Sequence, residues 1–332
     1  MKCPKCGYNQ KAKYGLTCNG CKYRFAFNPK EAPRMTDKRF MALINKASGG
    51  DTRYFTVNQL YYTFVKRANV KPVGCLVGQI VVSLIAGGIA WAWLNEDRSF
   101  NPLVGAGIAV AVIFVLLEIL KRWEPKPITI ESFRKDLLNK WKGVHGNIPK
   151  LIDNPGLNEP PADSPFGDVL DYGVERVVVV QHDHLVDLLV LNGWHAENKA
   201  LVIAESGYPN YLLSHARKML DEDPNLPIFL LHDASHQGMT MGKRVAAEGK
   251  LPLLGRQVID MGLTPDDAQA IKKLKVFRKG KNASPEVPVD LLPYSSLALG
   301  LGAAVVGGVA FAQILSQEAQ NQAAFAVSGG FG

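Results

Sequence analysis

Charge is missing from three long stretches of this 332-residue sequence. Residues 74–94 carry none, residues 103–120 carry only Glu118, and residues 291–317 carry none and are rich in Gly and Ala. With 47% hydrophobic and 20% charged residues, disorder of the whole chain is excluded. Acidic side chains are scarce at the N-terminus. Residues 1–34 hold eight basic groups (Lys2, Lys5, Lys11, Lys13, Lys22, Arg24, Lys30, Arg34) against Glu31 alone, so +7 of the net +8 lies there. The basic balance therefore belongs to one small segment and is no property of the chain at large. Catalytic signatures are also lacking: there is no P-loop, no G-x-S-x-G, no H-E-x-x-H and no dinucleotide-binding glycine pattern.

Cysteine is rare, with five in all, yet four fall into two pairs, Cys3-Pro-Lys-Cys6 and Cys18-Asn-Gly-Cys21. Each C-x-x-C turn lets two thiolates grip one ion, and two such turns complete a closed four-thiolate site of structural type. Gly7 and Gly20 suit the turns. A disulfide framework is the competing reading. With no cleavable leader ahead of the cysteines, a reducing compartment and structural Zn²⁺ are expected. The segment 1–34 resembles a zinc ribbon, a family whose members bind nucleic acid or proteins or stabilise a short segment. Cys75 stands alone and reads as a small apolar residue.

Residues 35–72 read as two short helices, Asp37 to Ala47 and Val57 to Arg67, split by Ser48-Gly49-Gly50-Asp51. Their apolar positions are spaced for packing. The uncharged stretches 74–94 and 103–120 are each long enough for a bilayer core about 30 Å thick, and are expected to form a transmembrane hairpin. Lys66, Arg67 and Lys71 before it and Lys121, Arg122 and Lys126 after it set both flanks in the cytoplasm, with the 95–102 loop outside. A third transmembrane helix is expected over 291–317, preceded by basic residues, with a tail at 318–332. The sequence thus reads as an integral membrane protein with its soluble domains in the cytoplasm.

Residues 125–173 contain an amphipathic helix from Glu131 to Lys142 and a Pro-rich linker over 154–165. Beyond the linker, short apolar strands alternate with helical patterns: Arg176–Gln181, Ala200–Glu205, Leu226–His232 and Gln257–Asp260. This alternation predicts an α/β domain over 174–285, with a mainly parallel sheet covered on both faces. Functional groups in such folds collect beyond the carboxyl ends of the strands. Here those ends carry Gln181-His182-Asp183-His184, Glu205-Ser206-Gly207 and His232-Asp233-Ala234-Ser235-His236.

The runs Gly207-Tyr208-Pro209-Asn210, Leu226 through Gly238 and Met261-Gly262-Leu263-Thr264-Pro265-Asp266-Asp267 resemble the Toprim domain of the topoisomerase VI A subunit family. The resemblance covers about residues 174–270. It implies a Mg²⁺ site for DNA cleavage, built from a glutamate after the first strand and an Asp-x-Asp after the third. By position these fall on Gln181, Asp233 and Ser235, the candidate catalytic set, so two of three acids are replaced and a hard cation loses two anionic ligands. The implied domain is a degenerate Toprim. His182, His184, Asp233 and His236 form a second candidate metal set, of the imidazole and carboxylate type that suits Zn²⁺, Mn²⁺ or Fe²⁺. Hydrogen-bonded strand-end histidines are the alternative. The reading that emerges is a membrane-anchored zinc-ribbon protein that binds or scaffolds nucleic acid or protein partners. The rival is a metal-dependent nuclease or phosphotransfer enzyme using Asp233 and nearby histidines.

Overall fold

The fold was analysed in a computed structural model, which describes residues 1–68, 129–159, 173–249, 251–253, 255–270, 286–308 and 314. The chain divides into two units, Met1–Phe64 with Ile130–Gly332, and Val65–Thr129. Of the second unit, the described residues are 65–68, which end a helix, and Thr129.

At the N-terminus two small antiparallel hairpins, bridged at Lys2–Asn9 and Thr17–Arg24, present the two cysteine pairs. They repeat one hydrogen-bond scheme. The Cys3 N–H donates to the Tyr8 carbonyl and the Gly7 N–H to the Cys3 carbonyl, and Cys18, Tyr23 and Lys22 do the same in the second hairpin. Both turns therefore need a left-handed residue at the same point, supplied by Gly7 (φ 75°) and by Lys22 (φ 60°).

Helix α1 (Asp37–Ala47) is capped by the Thr36 hydroxyl, which accepts from the Arg39 N–H. Strand β1 (Phe55–Thr56) leads directly into α2 (Val57–Ala68). A helical run then comprises α3 (Ile130–Phe133), a π-helical turn (Arg134–Leu138) and α4 (Asn139–His145). Strand β2 (Leu151–Ile152) pairs parallel with β1. Phe27, Phe40, Phe133 and Trp141 pack ring against ring, joining the segment after the second hairpin to α1 and to this run.

The larger sheet contains β3 (Arg176–Val180), β4 (Ala200–Ala204), β5 (Ile228–Leu231) and β6 (Val258–Asp260), all parallel, in the order β4-β3-β5-β6. Its helices are α5 (Asp183–Leu191), α6 (Trp194–Glu197), α7 (Asn210–Glu222), α8 (His236–Met239), α9 (Met241–Ala247) and α10 (Pro265–Ala270). Strand side chains alternate between faces. Val177, Val179, Leu201, Ile203, Ile228 and Leu230 meet Leu212, Ala216 and Leu220 of α7 and Met241 and Val245 of α9. Val178, Val180, Val202, Ala204, Phe229 and Leu231 meet Leu185, Leu188 and Leu189 of α5 on the other face. Burial on both sides is why these strands read as continuous apolar runs in the sequence.

The expected membrane architecture is corrected by the structure. The stretches 74–94 and 103–120 lie outside the described residues, and among the described residues no helix is long and apolar enough to cross a membrane. Among the described residues the fold class is α/β with parallel sheets, and they support neither transmembrane helices nor integral membrane placement. The stretch 291–317 shows the physical reason for the misreading. Its helix, α11 (Tyr294–Gly307), has 14 residues, a length of about 21 Å at 1.5 Å per residue. It lies on the second face of the sheet, burying Leu297, Gly300, Leu301, Ala304 and Val305. The Trp194 indole N–H donates to its Ala298 carbonyl at 3.1 Å. An absence of charge here reflects a helix sealing a sheet, a role that hydropathy alone does not separate from spanning a bilayer. Leu301→Ala is therefore expected to destabilise the chain by about 2–5 kcal/mol, the range for a truncated core leucine, read from the denaturant midpoint. An unchanged midpoint would show that the helix contributes nothing to the core.

Candidate metal centre and sheet edge

The two hairpins bring Cys3, Cys6, Cys18 and Cys21 together, with all four sulfurs within 4.8 Å of one another. Cys3 and Cys21 sulfurs are 3.6 Å apart, as are those of Cys6 and Cys18. A tetrahedral ion with metal–sulfur bonds near 2.3 Å would set these edges at about 3.8 Å, so the sulfurs fit a single metal ion. The Cys21 backbone N–H is the main cause that lowers the Cys18 thiol pKa to about 7, while the Cys21 thiol is pushed up to about 12, the Tyr23 backbone hydrogen bond that lowers it being outweighed by burial and the three neighbouring sulfurs, so the four thiols of the cluster titrate as a linked set. Among the described residues this is the one cluster of three or more metal-ligating side chains that converge on a point.

The module is fastened to the helices by Asp37, which is buried in the first turn of α1. Its carboxylate accepts from the Ala26 and Phe27 N–H groups at 3.0 and 3.1 Å and from the Tyr23 hydroxyl at 3.0 Å. His145 Nε2 of α4 lies 3.2 Å away, and its ring stacks on Tyr23. Tyr23 stands two residues beyond the last cysteine, so the metal turn and the helical core share one hydrogen-bonded knot.

At the carboxyl edge of the large sheet, the candidate catalytic residues are close but committed to one another. The Gln181 amide oxygen accepts from the Asp233 N–H at 2.9 Å. Asp233 Oδ2 lies 2.8 Å from His182 Nε2, and its Oδ1 accepts from the Val289 N–H at 2.8 Å. Ser235 caps α8, its hydroxyl accepting from the Gly238 N–H at 2.9 Å. The second candidate metal set does not gather as proposed. His182 pairs with Asp233, while His184 Nε2 faces Asp290 Oδ2 at 3.3 Å, and His236 is exposed on α8. The rings of His182 and His184 stack with centroids 5.3 Å apart, consistent with their sharing one side of the chain.

Asp290 was not legible as a partner, because it lies more than a hundred residues from His184 and carries no motif. It is 1% exposed and accepts from Asn58 Nδ2 of α2 at 2.8 Å. Burial raises its pKa, but His184, Thr56 and Asn58 together hold it below the ordinary carboxylate value. A third pair joins His232, also buried, to Asp260 at 3.0 Å. His232 is seated between two glycines. A Cβ on Gly262 would stand 2.2 Å from its Nε2, and one on Gly238 would stand 2.8 Å from its Nδ1, so neither position accepts a side chain without displacing the ring.

The Asp233 hydrogen bond is the main reason the His182 pKa is raised above the ordinary imidazole value, against the opposing pull of burial. A raised folded-state pKa means that the stabilisation from this pair is complete below the unfolded value of about 6.5 and disappears as pH rises through the folded value. The denaturant midpoint should therefore fall across that alkaline-side window, and His182→Gln should flatten the fall. Asp290 acts in the opposite sense, its contribution vanishing as pH drops through its lowered folded value. A pH profile identical in the His182→Gln variant would contradict the pairing.

Comparison of the chain with protein families, with curated proteins and with solved structures finds no match.

Proposed function

We propose that this chain is a non-catalytic nucleic-acid-binding protein, in which a structural Zn²⁺ on Cys3, Cys6, Cys18 and Cys21 shapes a basic binding module and a degenerate Toprim-like α/β domain serves as scaffold. The observation that carries the reading is the surface of the module. All eight basic side chains of residues 1–34 are exposed, and the single acid there, Glu31, is hydrogen-bonded to Asn28. A compact metal-held segment that keeps this charge in water is suited to a polyanionic backbone, whose counterions it releases on binding.

The sheet edge argues against the family-type Mg²⁺ reaction. A hard cation seeks several free anionic oxygens. Both oxygens of Asp233 already have partners, the Gln181 oxygen serves the Asp233 N–H, and the Ser235 hydroxyl serves a helix cap. The His182 imidazole stands beside Asp233, with its Nε2 2.8 Å from Oδ2. When protonated it neutralises the carboxylate with a charge that belongs to the protein.

The full chain should carry one zinc per molecule by elemental analysis and should bind a labelled polynucleotide in fluorescence anisotropy. Affinity should fall with salt, with a log–log slope near −3 if about four to five phosphates of a single strand are engaged. Supercoiled DNA should stay intact with Mg²⁺, Mn²⁺ or Zn²⁺. Cleavage abolished by Asp233→Asn would replace this reading with the nuclease alternative, and a zinc-loaded chain that binds no nucleic acid at low salt would refute it.

A further inference from the structure

Of the Phe, Tyr and Trp side chains among the described residues, Tyr8 and Tyr14 alone are exposed, at 49% and 57%. Both lie in the 34-residue segment that carries nearly all of the net charge. Every other described Phe, Tyr or Trp ring is buried or half-buried. Two large rings held in water on so small a module cost solvation without serving its core, which is formed by Cys3, Cys18 and Phe25.

The rings are mounted on fixed backbone. The Tyr8 carbonyl accepts from the Cys3 N–H at 2.8 Å, inside the first metal turn. Tyr14 closes a 3-10 turn (Ala12–Tyr14), and the loop that carries it is tied to the second metal turn by buried Gln10. The Gln10 amide donates to the Gly15 and Thr17 carbonyls and accepts from the Asn19 N–H. The Lys13 ammonium lies 5.2 Å from the Tyr14 ring centroid, so a cation already stands beside one ring. Lys5 precedes Cys6, three residues ahead of Tyr8, and Lys11 and Lys13 lie between the rings in sequence.

We infer that this surface takes single-stranded polynucleotide, with Tyr8 and Tyr14 each stacking on an unpaired base while the neighbouring lysines track the phosphates. The inference rests on the nucleic-acid reading above and narrows it. A duplex keeps its base faces inside the helical stack and offers an exposed ring no partner, whereas an unpaired strand presents a π-face at each base. Stacking is also tolerant of sequence, so the surface reads strandedness rather than base identity.

The test uses the full zinc-loaded chain with labelled 12-nucleotide oligo(U) and oligo(dT), and with RNA and DNA duplexes of the same length. Both single strands should bind at least about tenfold more tightly than the duplexes. Tyr8→Ala and Tyr14→Ala should each weaken single-strand binding by about 5- to 100-fold and leave duplex binding within about twofold, while Tyr8→Phe and Tyr14→Phe retain it. A preference for oligo(U) over oligo(dT), or the reverse, identifies which strand is read and supports the inference either way. Equal affinity for single strands and duplexes, or alanine variants that keep full zinc content and full single-strand affinity, would overturn the stacking inference and leave nucleic-acid binding intact. Failure of all four oligonucleotides to bind would overturn both. Should an alanine variant lose its zinc, the single-strand to duplex ratio of the unsubstituted chain decides the matter without it.

Discussion

Buried carboxylates hold the described parts of this protein together. Four aspartates are buried among the described residues: Asp37, Asp187, Asp233 and Asp290. A carboxylate taken out of water seeks nearby donors in place of its lost hydration, and each of these four takes at least one from another segment of the chain. Asp37 ties the metal hairpins to the helices. Asp187 on α5 accepts from the Gly156 N–H at 2.7 Å and from the Tyr208 hydroxyl at 2.6 Å, securing the loop before the large sheet. Asp233 and Asp290 secure the segment after it, through Val289 and Asn58.

The last two knots explain how α11 reaches its seat. The Val287 and Ala234 backbones bond reciprocally, the Val289 N–H meets Asp233, and the Gln59 side-chain amide donates to the Leu292 carbonyl at 2.9 Å. These bonds run from the sheet edge to α2 and deliver the chain to Tyr294, where the apolar helix begins. At the carboxyl edge of the sheet, Asp233 and Ala234 thereby anchor the segment that leads into α11. The stacked imidazoles suit that use, because each places a ring nitrogen beside a buried carboxylate, His182 at Asp233 and His184 at Asp290.

Much of this was legible in the sequence, for reasons that can be named. The C-x-x-C spacing fixes four thiolates at one point because each turn is local and both have the same geometry. The strands of the large sheet are legible because burial on both faces writes an unbroken apolar run. The partners of His184 and His232 were not, since Asp290 and Asp260 come from other elements and pairing across a fold leaves no spacing to read. The stretch 291–317 misled for the complementary reason. Hydropathy reports that a helix avoids water, and both a lipid core and the face of a sheet satisfy it; the length of the helical segment and its buried Leu297, Leu301 and Ala304 discriminate.

In the proposed function the metal-held module would meet the nucleic acid, while the sheet edge is closed by its own side chains. Hydrogen exchange of the full zinc-loaded chain, with and without a saturating single-stranded oligonucleotide, tests that separation most directly. The account predicts added protection concentrated in residues 1–34 and unchanged exchange at 181–184 and 232–238. Protection that appeared at the sheet edge and spared the cysteine hairpins would contradict it.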